Sequence, residues 1–381
     1  AGADLWAKYM ADHPNVKIEE TVAATSDDAR SAFNSSIQAG QAAYDIFAVD
    51  VDWMPSIQAI PDNFYDLTSY VGSNDWLDWK KTQGQSLDGS KLLGMGTDIG
   101  PEGVCYRADL LEAAGIPSDR DSVKEWLGGD SGTWADFFAA GDEYVEKSGG
   151  KHFFDSSAAL MQGMVNQVEY SWVDADGNII AADNAQMKTL YDQLTAAAAT
   201  QSAGAGQWGD DWNAGMKSDA FAAMLCPAWI INNIRQNAGE DFVGWDIADQ
   251  FPGGGGNWGG SFLVVPEASA VKEAAADLVA WITAPEQQAA VFAAASNFPS
   301  SPTAQEDSAV TGRTEPFLND APIGPIFTSR AAAVTVVPFK GAQYFDIQNA
   351  MANALNRVDV DKSQDPAASW TQFLSDVQAM S

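Results

Sequence analysis

Asp45-Ile46-Phe47-Ala48-Val49-Asp50, followed by Val51-Asp52-Trp53, is a short continuous apolar run bounded by acids. A run of this kind reads as a buried parallel strand with helices over both faces. Upstream, residues 29–39 have the helical period, with Phe33 and Ile37 on one face and Gly40 as the stop signal. Earlier still, 5–10 begins an amphipathic helix that ends before Asp12-His13-Pro14, and Val16, Ile18 and Glu20 alternate as a strand. Downstream, 103–107 is strand-like, 109–114 is a helix closed by Gly115, and Thr133-Trp134-Ala135-Asp136 opens a helix with a capping-box pattern. Residues 260–265 form a strand stopped by Pro266. Val271, Ala274, Ala275, Leu278, Val279 and Ile282 then fall at helical spacing, and Pro285 restarts the next helix. The tail, 346–355 and 370–380, is helical. Helix and strand alternate throughout, which points to an α/β architecture.

At 381 residues and 40.5 kDa the chain is too long for one ordinary domain and predicts two. Its 52 acidic and 20 basic residues give a formal net charge of −32. Such a surface repels phosphate backbones and anionic headgroups, so nucleic acid and the membrane surface are poor partners. No run of 18 apolar residues occurs, and no basic segment leads into an apolar one at the start. An export signal, if one was made, is expected to have been removed. Cys105 and Cys226, with His13 and His152 as the only histidines, have no zinc spacing; a disulfide and a pair of buried thiols both remain open. If bonded, the long loop contributes roughly 4–5 kcal/mol in the chain-entropy model.

Motifs for chemistry are few. The stretch from Pro252 to Gly260 contains G-x-G-x-x-G at Gly254, Gly256 and Gly259, but a strand follows it where a dinucleotide site needs a helix. Asp174-Ala175-Asp176-Gly177-Asn178 starts like a calcium loop, yet lacks the later glutamate and reads better as an Asp-Gly hairpin turn. Ser269-Ala270-Val271-Lys272 lacks the companion motifs of a β-lactamase. Paired carboxylates are too common in so acidic a chain to single out a glycosidase. No metal site and no cofactor is expected.

The informative pattern is 14 tryptophans recurring beside acids and glycines at loop-like positions. Asp50-Val51-Asp52-Trp53, Trp208-Gly209-Asp210-Asp211-Trp212 and Trp258-Gly259-Gly260-Ser261 are the examples, and Thr97-Asp98-Ile99-Gly100-Pro101-Glu102 precedes another strand. Carboxylates accept hydrogen bonds from vicinal hydroxyls, and indole faces stack on the apolar C–H face of a sugar.

Blocks along nearly the whole chain resemble the extracellular solute-binding proteins of ABC sugar importers. These are Ala11-Asp12-His13-Pro14-Asn15-Val16-Lys17-Ile18, Tyr44-Asp45-Ile46-Phe47-Ala48-Val49-Asp50 with Trp53, and Tyr106-Arg107-Ala108-Asp109-Leu110-Leu111-Glu112-Ala113-Ala114-Gly115-Ile116-Pro117. Thr133-Trp134-Ala135-Asp136-Phe137, Ala222-Ala223-Met224 with Trp229, and Ala284-Pro285-Glu286-Gln287-Gln288 continue the series. The family opens with a strand ahead of the first helix; these residues hold no counterpart, so its contacts are not assigned.

The resemblance implies two α/β lobes of the type II periplasmic-binding-protein kind, joined by crossover strands, with the ligand held in a cleft between lobes that close on it. Lobe one would be residues 1–102 plus 259–302 and lobe two 103–257 plus 303–381. Both cysteines then fall on lobe-two strands, where a disulfide is geometrically possible. Asp50, Asp52 and Trp53 match the family's first-lobe contacts, Asp98 and Glu102 those of the crossover, Trp229 its stacking tryptophan, and Trp258, Gly260 and Ser261 its late-strand loop. Trp172, Trp208, Trp212 and Tyr344 are expected by loop context alone. The implied function is non-enzymatic: a monomeric receptor for a neutral oligosaccharide, delivering it to membrane permease subunits of an ABC importer. It would sit at the cell surface on a lipid anchor, or in the periplasm of a Gram-negative cell. A polyol or other small-solute receptor and a secreted glycosidase are the rival expectations.

Overall fold

The computed structural model describes residues 3–380. The chain forms two compact units, one from the residues up to Ile99 with Gly259–Thr311, the other from Gly100–Trp258 with the residues from Gly312 onward. The last passage between units therefore falls at 311/312, later than 302. The reason is local: helices Pro302–Gln305 and Ser308–Thr311 pack on helix Pro285–Ala295 of the first unit.

Among the described residues the strands are β1 (Phe47–Asp50), β2 (Gly94–Gly96), β3 (Asp98–Ile99), β4 (Glu102–Arg107), β5 (Ala223–Pro227), β6 (Trp245–Ala248), β7 (Ser261–Val264) and β8 (Phe298–Pro299). In the first unit β7 lies between β1 and β2, antiparallel to both, and β3 pairs with β8. The apolar run at 45–50 is thus an edge strand and not a parallel one. Phe47 and Val49 are buried but Ala48 is exposed, so only one face is covered. The expected strand at 16–20 does not form. Val16 and Ile18 share a half-buried face, but no strand among the described residues lies beside them to complete a ladder. Helix Ser26–Gln38 starts on Thr25, whose side chain accepts the Asp28 amide, and brings Phe33 against Phe47 and Phe64. Helix Lys272–Ile282 closes a second cluster with Leu67, Trp76, Leu92, Met95 and Val265.

In the second unit the sheet order is β5-β4-β6, again antiparallel, and every residue of the three strands is buried. Helices Ser157–Val165 and Ile230–Ala238 pack on β5, Arg120–Trp126 on β6 and Ile323–Ala332 on β4. Cys105 and Cys226 are bonded, with Cα atoms 5.3 Å apart. Their register partners are Met224 and Gly103, so the bridge runs diagonally between β4 and β5. Thr133 and Asp136 form the expected capping box of helix Trp134–Lys147. Residues 173–179 close as a hairpin: Val173 bridges Ile179, Gly177 takes φ +83°, and the Asp174 carboxylate accepts the Asp176 and Asn178 amides.

Candidate functional site

Five of the expected residues meet at one end of the first unit's sheet. Asp50, the last residue of β1, is the register partner of Ser261, the first of β7. The Val51 amide donates to the Gly260 carbonyl at 3.0 Å, and Asp50 Oδ1 accepts the Asp52 amide at 2.8 Å. Asp98 accepts the Ser261 amide at 2.9 Å, the Thr97 hydroxyl at 2.8 Å and the Asn297 amide group at 3.0 Å. Gly260 is required here, because its φ is +98° and a Cβ would lie 2.6 Å from the Asp98 carbonyl oxygen. Two further groups at this end carried no sequence signal. Asn297 holds Asp98, and the buried Lys80 places its ammonium 3.8 Å from the centre of the Phe262 ring.

Four tryptophans gather in the second unit. The Trp208 and Trp229 rings are stacked with centroids 6.0 Å apart and planes at 21°. Trp258 meets Trp229 edge-on at 5.1 Å, and the Trp229 indole N–H donates to the Trp258 carbonyl at 3.0 Å. Trp212 packs beneath Trp208 at 4.9 Å. Gly100 fixes this corner: its carbonyl accepts the Trp258 amide, and a Cβ there would lie 1.8 Å from the Trp258 carbonyl oxygen. Trp208 is 54% exposed and has φ +70°, a left-handed backbone that costs a non-glycine residue roughly 1–2 kcal/mol.

Five expected contacts lie inside the units. Trp53 is buried against Phe33, and its indole N–H has no hydrogen-bond partner. Trp172 donates to Gln348 Oε1 at 2.9 Å and packs on Phe373. Tyr344 starts helix Tyr344–Asp359 with its ring in the core. Trp212 has no exposed surface and donates to Asp155 at 2.8 Å. Glu102 is fully buried, neither carboxyl oxygen has a hydrogen-bond partner, and burial holds its pKa well above the usual range. In these cases the aromatic area, or the apolar setting of the neutral acid, serves packing; loop-like neighbours in sequence do not distinguish the two uses. Seven of the 14 tryptophans are core residues, which accounts for much of the excess.

Among the described residues no cluster of three or more His, Cys, Asp or Glu is arranged to hold a metal ion, and no helix is long and apolar enough to cross a membrane.

Comparison with known proteins adds the family. Residues 4–317 match the family described as bacterial extracellular solute-binding protein. A solved extracellular solute-binding protein of family 1 is 39% identical, with 99% of this chain and 96% of that one covered and a TM-score of 0.89. The arabinooligosaccharide-binding protein of Bacillus subtilis (strain 168) is 25% identical over 209 residues, covering 52% of this chain and 46% of the relative. The lactose-binding protein of Rhizobium radiobacter is 25% identical over 289 residues, covering 71% and 64%. The chain thus spans about half to two thirds of the length of these curated relatives. With the family matched over most of its length and a two-unit α/β fold shared with a solved member, this chain belongs to the bacterial extracellular solute-binding proteins.

Proposed function

We propose that the protein is a non-catalytic receptor that binds a neutral oligosaccharide outside the cytoplasm and hands it to the membrane permease of an ABC importer. The observation that carries this reading is Trp208, an indole left half-exposed on left-handed backbone and backed by Trp229 and Trp258. Exposing that face in a strained conformation does nothing for stability, whereas a pyranose, apolar on its C–H face and hydroxylated at its rim, is suited to it. Asp50, Asp52, Asp98, Gly260 and Ser261 offer carboxylates and backbone groups of the kind that vicinal hydroxyls use. The net charge of −32 favours an uncharged ligand over an anionic one. The names of the relatives, arabinooligosaccharide-binding and lactose-binding, support the same ligand class.

Micromolar binding corresponds to about 8 kcal/mol, within reach of two or three stacked rings and several hydrogen bonds after ordering costs. A monomer tethered to the cell surface by a lipid anchor completes the proposal. Its test is calorimetric titration with neutral di- to tetrasaccharides, including arabino-oligosaccharides and lactose, beside polyols, with each ligand recovered and checked. Binding of an intact oligosaccharide is the expected result. Cleavage would replace the receptor with a hydrolase, and binding of polyols alone would replace the ligand class.

A further inference from the structure

Behind the exposed tryptophan lie two buried carboxyl groups that ligand contact does not use. Asp155 is 1% exposed; its Oδ1 accepts the Ser156 amide at 2.8 Å and its Oδ2 the Trp212 indole N–H at 2.8 Å. Asp359, at the end of helix Tyr344–Asp359, is 5% exposed; its Oδ2 accepts the Ser157 amide at 2.7 Å and the Ser202 hydroxyl at 2.8 Å. The two acids thus bind successive amides at the start of helix Ser157–Val165. Trp212, with no exposed surface, connects Asp155 on one side to Trp208 on the other.

We propose that Asp155 is a positioning residue for the aromatic face: by holding the Trp212 indole it fixes Trp212 and, through it, the exposed Trp208, so that protonation of Asp155 loosens the face and weakens ligand binding. Only the last step rests on the carbohydrate-binding reading. Burial first, with repulsion from Asp359, pushes Asp155 up to about 7, against the pull of the Trp212 and Ser156 hydrogen bonds. When ionised, its bond to the indole N–H is charge-assisted; when protonated, the same oxygen is a weaker acceptor. Reciprocally, ligand that favours the ordered face lowers the proton affinity of Asp155. The other titratable groups nearby in the chain are Asp210 and Asp211 on the helix that carries Trp212, and Lys151 and His152 on the segment leading to Asp155; Lys151 pairs with Asp219, and the other three are exposed. His152, the exposed histidine of that segment, is replaced in a control.

The test follows the indole N–H signals of the 15N-labelled full chain by NMR between about pH 5.5 and about pH 8.5. The Trp212 and Trp208 signals are expected to move together with a midpoint of about 7, in the wild type and in His152→Gln, and to stay still in Asp155→Asn. Asp359→Asn, which keeps the Trp212 hydrogen bond and removes the like charge, is expected to move the midpoint down. In parallel, calorimetric affinity for an arabino-oligosaccharide or lactose is expected to rise about threefold or more from pH 6 to pH 8 in the wild type and to stay flat in Asp155→Asn. Signals that do not titrate, or that titrate unchanged in both Asp155→Asn and Asp359→Asn, overturn the positioning role. Titrating signals with a flat affinity overturn the coupling to binding. If no saccharide binds at any pH the receptor reading fails, and the indole signals alone decide whether Asp155 positions Trp208.

Discussion

The Trp229 indole N–H donates to the Trp258 carbonyl while its ring lies nearly parallel to that of Trp208. One side chain therefore ties the glycine-rich segment ending at Trp258 to the loop that carries Trp208. Trp229→Ala should weaken oligosaccharide binding at least about tenfold by removing both roles, and Trp258→Ala should do the same through the ring alone. Calorimetry on the two variants checks this; unchanged affinity in both would move the ligand away from the aromatic face.

Asp98 gathers three donors at the start of β7, so its effect is expected through geometry as much as through direct contact. Asp98→Ala leaves the Ser261 amide and the Asn297 amide group without their acceptor, while the Thr97 hydroxyl turns to the Ser261 carbonyl 3.0 Å away, and should destabilise the first unit by roughly 2–4 kcal/mol. Affinity should fall with it. Denaturant unfolding together with calorimetry measures both, and a variant as stable as the wild type would contradict the clamp.

Glu102 makes stability depend on pH. Burial raises its pKa in the folded state, so the neutral acid is what the fold favours. Its contribution is complete below the ordinary glutamate pKa of about 4.3 and is lost as pH rises through the raised value. Glu102→Gln keeps the size and stays neutral, so its stability relative to the wild type should grow between pH 5 and pH 9. Parallel curves for the two proteins would show that Glu102 does not remain neutral in the fold.

Trp172 separates packing from recognition. Trp172→Phe deletes the hydrogen bond to Gln348 and part of a buried ring, and should lower stability by about 1–3 kcal/mol. Ligand affinity should stay within about twofold of the wild type. A large loss of affinity with unchanged stability would return Trp172 to the binding surface.

Periodicity made the helices legible. The residues 29–39 and 271–282, with their stop and start signals, lie where helices Ser26–Gln38 and Lys272–Ile282 form. Strand direction was not legible, since Phe47-Ala48-Val49 carries the same apolar signal whether its neighbour runs parallel or antiparallel, and only the arrival of β7 decides. For the candidate site, glycine was the dependable marker. Gly260 and Gly100 stand where backbone must approach backbone, and each lies beside expected residues. Tryptophan was less dependable, because Trp172 and Trp208 each stand two positions before an aspartate and have opposite environments. Asn297, Lys80 and Asp155 were invisible for another reason: each matters only through a partner distant in the chain.

The position of β7 in the middle of its sheet also has a consequence in time. As the polypeptide emerges, β1 and β2 are complete by residue 96, yet neither has its neighbour until residues 261–264 appear. The second unit's strands all emerge within that interval, and Cys226 becomes available to Cys105 before the first unit can close. The second unit's sheet can therefore assemble before the first unit's, although its core is completed only by the helices after residue 312, while β1 and β2 wait with open edges for more than 160 residues. A factor that covers extended apolar segments during export would act on that interval, and the slow step of refolding should be the capture of β7.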